Sequence, residues 1–123
     1  MERTKKNGAP VKTPAELWRA TEYSLKGLKA AMGEKAFVTE LVFAALAFVV
    51  LPFLEVSRVE AAVMVFAVLN VLVCELVNTA IEVVVDRISP ARHPLSGKAK
   101  DIGSAVVFVA IAAAVAVWAI ILV

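Results

Sequence analysis

Three long apolar stretches constrain this chain more than any other feature. They run from about Phe37 to Leu54, from Ala61 to Val85 and from Ile102 to Val123. A bilayer core about 30 Å thick is crossed by about 20 helical residues, so each stretch is long enough, or nearly so, to span it. Together they take up more than half of a chain of 123 residues, of which 61% are hydrophobic, well above the average for soluble domains. The reading is an all-α membrane protein with three transmembrane helices. The first span is interrupted near its start by Thr39 and Glu40 and carries Pro52 near its far end. The second is longer than a bilayer requires, so it should tilt or emerge at its C-terminal end.

Charge sets the orientation. Arg3, Lys5, Lys6, Lys12, Arg19, Lys26, Lys29 and Lys35 precede the first span, and Arg87, Arg92, Lys98 and Lys100 lie between the second and third. Only Arg58 falls elsewhere. Basic residues concentrate on the cytoplasmic side, which puts the N-terminal segment and the loop from Asp86 to Asp101 inside. The turn from Glu55 to Glu60 is then outside, and the C-terminus also. The single cysteine, Cys74, lies within an apolar run, where an inert thiol is expected and no intramolecular disulfide is possible. The first 35 residues are polar or amphipathic rather than the apolar core of a secretory signal, so no cleaved segment is expected.

Residues 1–12 hold four basic residues, a glycine and a proline without periodicity, as a flexible basic arm would. A single domain over residues 13–123 follows. Thr13 is a good N-cap, Pro14 suits the first helical position, and Glu16 completes a capping box, so a helix is predicted over residues 14–32. Leu17, Trp18, Leu25, Leu28 and Met32 share one face, opposite Arg19, Glu22, Lys26 and Lys29. Such a helix suits the headgroup layer of an anionic leaflet, and packing against neighbouring helices is an equally good use of the face. Gly33 permits a change of direction before the first span.

The second span carries the chemistry. Glu75, Asn78, Glu82 and Asp86 are spaced 3, 4 and 4 residues apart, which at 100° per residue places them within about 80° of one another. Thr79 lies at the edge of the stripe. Asp86 marks the cytoplasmic interface, and Glu75 sits about 16 Å deeper along the helix axis. An ionisable group at membrane depth costs at least about 2.5 kcal/mol, so two glutamates on one span point to function. Interhelical hydrogen bonding is the structural alternative, and it suits Asn78 and Thr79. A partly dehydrated Glu75 fits a general base acting on a hydroxyl at the membrane surface. Glu82, nearer water, fits Mg²⁺ with phosphate oxygens completing its shell, and Glu34 can offer a second carboxylate. Lys100 can neutralise phosphate charge or serve only as an interfacial anchor, and His93 in isolation is an ordinary loop residue. Gly97 and Lys98 do not complete a Walker loop, because no glycine stands five residues before Gly97 and Ala99 takes the Ser/Thr place. Protein-kinase signatures are absent too.

The run from Glu75 to Ile88, ELVNTAIEVVVDRI, followed by HPLSGKAKDIGSA from His93 to Ala105, resembles the prokaryotic diacylglycerol kinase family. The similarity extends from about Trp18 to the end, and the paired motifs at this spacing are highly specific. The resemblance implies a homotrimer with shared sites in the bacterial cytoplasmic membrane, and transfer of the ATP γ-phosphate to diacylglycerol, giving phosphatidic acid. It implies Glu75 as the catalytic base and Glu34 and Glu82 as Mg²⁺ ligands. Arg19, Tyr23, Glu34, Glu82, His93, Lys100 and Asp101 would contact ATP, with Asn78 and Asp86 as a supporting polar cluster. The lipid would lie against Ala20, Thr21, Glu22, Tyr23, Ser24, Leu25, Ala36, Phe37, Glu40, Glu75 and Ser104. Nucleic acid is not an expected partner. Two departures stand out: Glu16 replaces a basic residue expected near the start of the first helix, with Arg19 one turn later, and the segment from Ala31 to Glu34 is one residue short.

Undecaprenol kinases share the central motifs and are the close alternative; the Arg87-Ile88 pair and the Ser96-to-Asp101 run favour diacylglycerol. A small proton-coupled exporter is the alternative of another class, since those also carry a membrane-embedded glutamate. Exporters of that kind normally need four spans, and the dense polar loop would have no role in one.

Overall fold

A computed structural model describes residues 10–123. Of the arm read over residues 1–12, residues 1–9 lie outside the described residues, and residues 10–13 have no regular structure. Helices α1 (Pro14–Ala31), α2 (Lys35–Val50), α3 (Arg58–Ile88) and α4 (Pro94–Leu122) follow, with a 3₁₀ turn at Leu51–Phe53 after α2. No strand occurs among the described residues. The described residues divide into two units, one ending at Ala30 and the other running from Ala31 to Val123.

In the first unit, α1 begins where its cap dictates. The Thr13 N–H donates to Glu16 Oε2 at 2.7 Å, and the Glu16 N–H donates to Thr13 Oγ1 at 3.2 Å. Two otherwise orphaned donors are thereby satisfied. Leu17, Trp18, Leu25 and Leu28 are exposed along its length.

In the second unit, the helices of three segments are long and apolar enough to cross a membrane: Lys35–Phe53, Arg58–Ile88 and Pro94–Leu122. The first, of 19 residues, reaches about 28 Å, close to one bilayer core. Its α-helical ladder ends at Val50, where Pro52, lacking an N–H, turns the chain into the 3₁₀ geometry. Ser57 and Glu60 then form a second capping box, with Ser57 N–H to Glu60 Oε1 at 2.8 Å and Glu60 N–H to Ser57 Oγ at 3.1 Å. Helix α3 accordingly starts at Arg58 rather than at Ala61 and runs to Ile88, three residues beyond the predicted end.

The largest departure concerns the loop read over Asp86 to Asp101. Only residues 89–93 connect the helices, and α4 starts at Pro94, eight residues before the apolar run that marks the third span. His93 is its N-cap, its Nδ1 accepting from the Leu95 N–H at 3.1 Å, with Pro94 at the first helical position. Hydropathy locates where a helix enters the hydrocarbon; capping chemistry locates where it begins. Helices of 31 and 29 residues reach about 46 and 44 Å, so the hairpin of α3 and α4 carries polar turns past the bilayer core.

Helix α3 packs chiefly on α4 and less extensively on α2. Its buried seam reads Met64, Ala67, Glu75, Asn78 and Val85, in steps compatible with one helix face. The facing positions of α4 are Gly103, Val107 and Ala110, small enough to let the backbones approach, as in membrane helix pairs generally. At the far end Trp118 Nε1 donates to the Met64 carbonyl at 3.2 Å. Elsewhere large apolar side chains such as Phe43, Phe66 and Phe108 point outward, as lipid-facing positions do.

Candidate active site

The deeper members of the stripe read on the second span face inward. Glu75 and Asn78 retain 4% and 7% of their surface, and Glu82 is half-buried below them. Asn78 Nδ2 donates to Glu82 Oε1 at 3.2 Å, joining two members four residues apart on α3. That bond fixes the amide orientation, since the reverse would set two acceptors against each other. Asn78 Oδ1 is left buried with no hydrogen-bond partner. It occupies the space where a Cβ on Gly103 would stand, so α4 meets α3 at this point through a missing side chain.

Glu34 and Glu40 come to the same region from α2. Glu75 lies within Coulombic reach of Glu82, Glu34 and Glu40. Glu34 is exposed and is the N-cap of α2, with an extended backbone and no side-chain cap bond, so its carboxylate is free for another partner. Glu40 has one carboxylate oxygen buried and unpartnered. It opens onto a groove of about 440 Å³ whose other walls include Thr39, Phe43, Val71 and Ile111.

At the polar end of the hairpin, Lys100 Nζ bonds Asp86 Oδ1 at 2.7 Å, with both side chains substantially open to solvent. The pair borders a cleft of about 480 Å³ that also presents Arg92, His93, Ser96 and Gly97. With Nδ1 committed to the cap, His93 offers only its Nε2 to a ligand. Asp101 and Ser104 are exposed on α4, and Phe37 is buried while Ala36 is exposed at the start of α2. Arg19 and residues 20–25 belong to α1; Tyr23 is exposed, with the Lys26 ammonium 5.8 Å from its ring centroid. Glu16, which departs from the family pattern, acts as the capping carboxylate of α1.

Within the single chain Glu75 and Asn78 are buried, Glu82 is half-buried and Asp86 is open to solvent. Sequence reasoning passed over Gly103, Arg92 and Ser96. Small residues on a membrane-spanning helix let a neighbouring helix approach, and Gly103 carried that signal.

No group of three or more His, Cys, Asp or Glu side chains is arranged around a common point for a metal among the described residues. Mg²⁺ does not need one, because one or two carboxylates with phosphate oxygens and water complete its octahedron. The donors present, hard carboxylate oxygens on Glu34 and Glu82, fit that ion.

Comparison with known proteins gives a consistent result. The sequence model described as prokaryotic diacylglycerol kinase matches residues 22–122. A diacylglycerol kinase of Escherichia coli K12 is 46% identical over 105 residues, covering 85% of this chain and 86% of that one. One from Haemophilus influenzae is 46% identical, covering 83% and 87%, and one from Pseudomonas aeruginosa is 47% identical, covering 84% and 85%. The chain belongs to the prokaryotic diacylglycerol kinase family.

Proposed function

We propose that this family member transfers the γ-phosphate of ATP to the free hydroxyl of diacylglycerol at the cytoplasmic face of a bacterial inner membrane, forming phosphatidic acid. The observation that carries the reading is the buried Glu75 on a helix face shared with Asn78 and Glu82, in a chain nearly half identical to proteins named for this reaction. The names of those relatives favour diacylglycerol over undecaprenol.

Glu75 takes the proton of the lipid hydroxyl, and its burial keeps water from competing for the phosphoryl group. Glu34 and Glu82 would hold Mg²⁺, which when bound would supply positive charge against the phosphate oxygens. Asn78 holds the Glu82 carboxylate in place through its amide N–H. Lys100 leaves Asp86 to meet phosphate, and His93 Nε2 and Asp101 border the nucleotide. The family resemblance would add Arg19 and Tyr23 to the nucleotide contacts, and residues 20–25, Ala36, Phe37, Glu40 and Ser104 to those of the lipid. Helix α1 lies in the headgroup layer of the leaflet. A homotrimer with an inward N-terminus and an outward C-terminus rests on the family resemblance and on the distribution of Lys and Arg.

Purified chain in lipid, supplied with ATP, Mg²⁺ and either diacylglycerol or undecaprenol, tests the reading. Labelled phosphatidic acid is the expected product. Preference for undecaprenol would reassign the substrate, and no transfer to either lipid would favour an exporter.

A further inference from the structure

We propose that Gly103 is a positioning residue for the proposed metal-binding carboxylate: its missing side chain makes the space that Asn78 Oδ1 fills, and this holds the Asn78 N–H on Glu82. The inference rests on the lipid-kinase reading for its consequence in turnover, but its geometry stands independently.

A Cβ built on Gly103 would collide with Asn78 Oδ1, whereas it would meet Ile81 Cδ1 at 3.6 Å, an ordinary contact. The helix packing therefore tolerates a methyl group at this position and the Asn78 amide does not. A methyl group there displaces the end of a side chain rather than a helix backbone, so α3 and α4 need not separate. Displacement has a specific cost, because the same amide bonds Glu82 through Nδ2 at 3.2 Å. Turning the carboxamide away from residue 103 breaks that bond and lets the Glu82 carboxylate wander. Asn78 Oδ1 has no partner of its own, so the amide is positioned by the gap at residue 103, the bond to Glu82 and the neighbouring Glu75 carboxyl. By contrast, nothing lies within 4 Å of a Cβ built on Gly97, on the same helix. Glycine is thus required at 103 by the amide opposite and not by the course of α4.

The test uses the full chain in lipid micelles with Gly103→Ala, Asn78→Ala and the double variant. Side-chain amide resonances of ¹⁵N-asparagine-labelled protein report the geometry directly. The Asn78 pair is expected to shift in Gly103→Ala. In turnover with ATP and diacylglycerol, half-saturating Mg²⁺ should rise roughly tenfold, the weight of one hydrogen bond to a charged group. Half-saturating diacylglycerol should hold, which a general loosening of the helix packing would not predict. Once Asn78→Ala has removed the amide, Gly103→Ala should add nothing further. An unmoved Asn78 amide resonance would overturn the proposal, and so would an equal loss from Gly103→Ala in both backgrounds. If the unaltered chain fails to phosphorylate either lipid, the kinase reading fails, while the amide resonances still decide the role of Gly103.

Discussion

Glu75→Gln is the substitution on which stability and activity should part most clearly. The amide keeps the size and shape of the carboxyl group, so the packing of α3 against its neighbours is preserved. It removes an ionisable group that retains 4% of its surface and that faces the charges of Glu82 and Glu34. An ionised side chain at membrane depth costs about 2.5–3.5 kcal/mol on insertion scales. The buried amide also costs, so the net gain in stability is expected near 1 kcal/mol, or about 4 °C in unfolding midpoint for a chain of this size. Loss of a general base costs roughly 10²–10⁴ in rate. Thermal unfolding in micelles and phosphatidic acid formation should therefore move in opposite directions. Turnover within a factor of two of the unaltered chain would refute the assignment of Glu75 as base, and a lowered midpoint would refute the account of its burial.

Asp86→Asn removes the partner of Lys100; because the pair is solvent-exposed, stability should change by less than about 1 kcal/mol, while half-saturating ATP shifts in a way that added salt diminishes. Trp118→Phe deletes the bond to the Met64 carbonyl and should lower stability by about 1 kcal/mol, with no change in half-saturating ATP, as measured by chemical unfolding and kinetics. Backbone and side-chain bonds from Thr13 hold the Glu16 carboxyl below its ordinary value of 4.5. A lowered folded-state value means the cap stabilises α1 above 4.5 and is lost as pH falls through the folded value. Amide exchange at Thr13 should therefore quicken with acid, once the intrinsic pH dependence is removed, and should be insensitive to acid in Glu16→Gln.

The sequence made the three spans legible because hydrophobic length in a bilayer is a one-dimensional constraint. The inward stripe of Glu75, Asn78 and Glu82 was legible for a similar reason, since helical spacing alone puts them on one face. The start of α4 was missed because polar residues from Leu95 to Asp101 resemble a loop to any hydropathy measure, although His93 and Pro94 carried the capping signal. Ser57 and Glu60 carried another that went unread. The pairing of Lys100 with Asp86 and the fit of Asn78 against Gly103 depend on the register between two helices. Composition does not encode that register; side-chain size at the point of closest approach does.

The connection at residues 89–93 bears on how the site comes into being. A link so short brings the ends of α3 and α4 together at little loss of chain freedom, since closure entropy grows with loop length. Glu75, Asn78, Glu82, Asp86, Lys100 and Gly103 all lie on the two arms it joins. The hairpin can thus bring most of its polar cluster together by itself as soon as α4 follows α3, with α2, already made, supplying Glu34 from the N-terminal side.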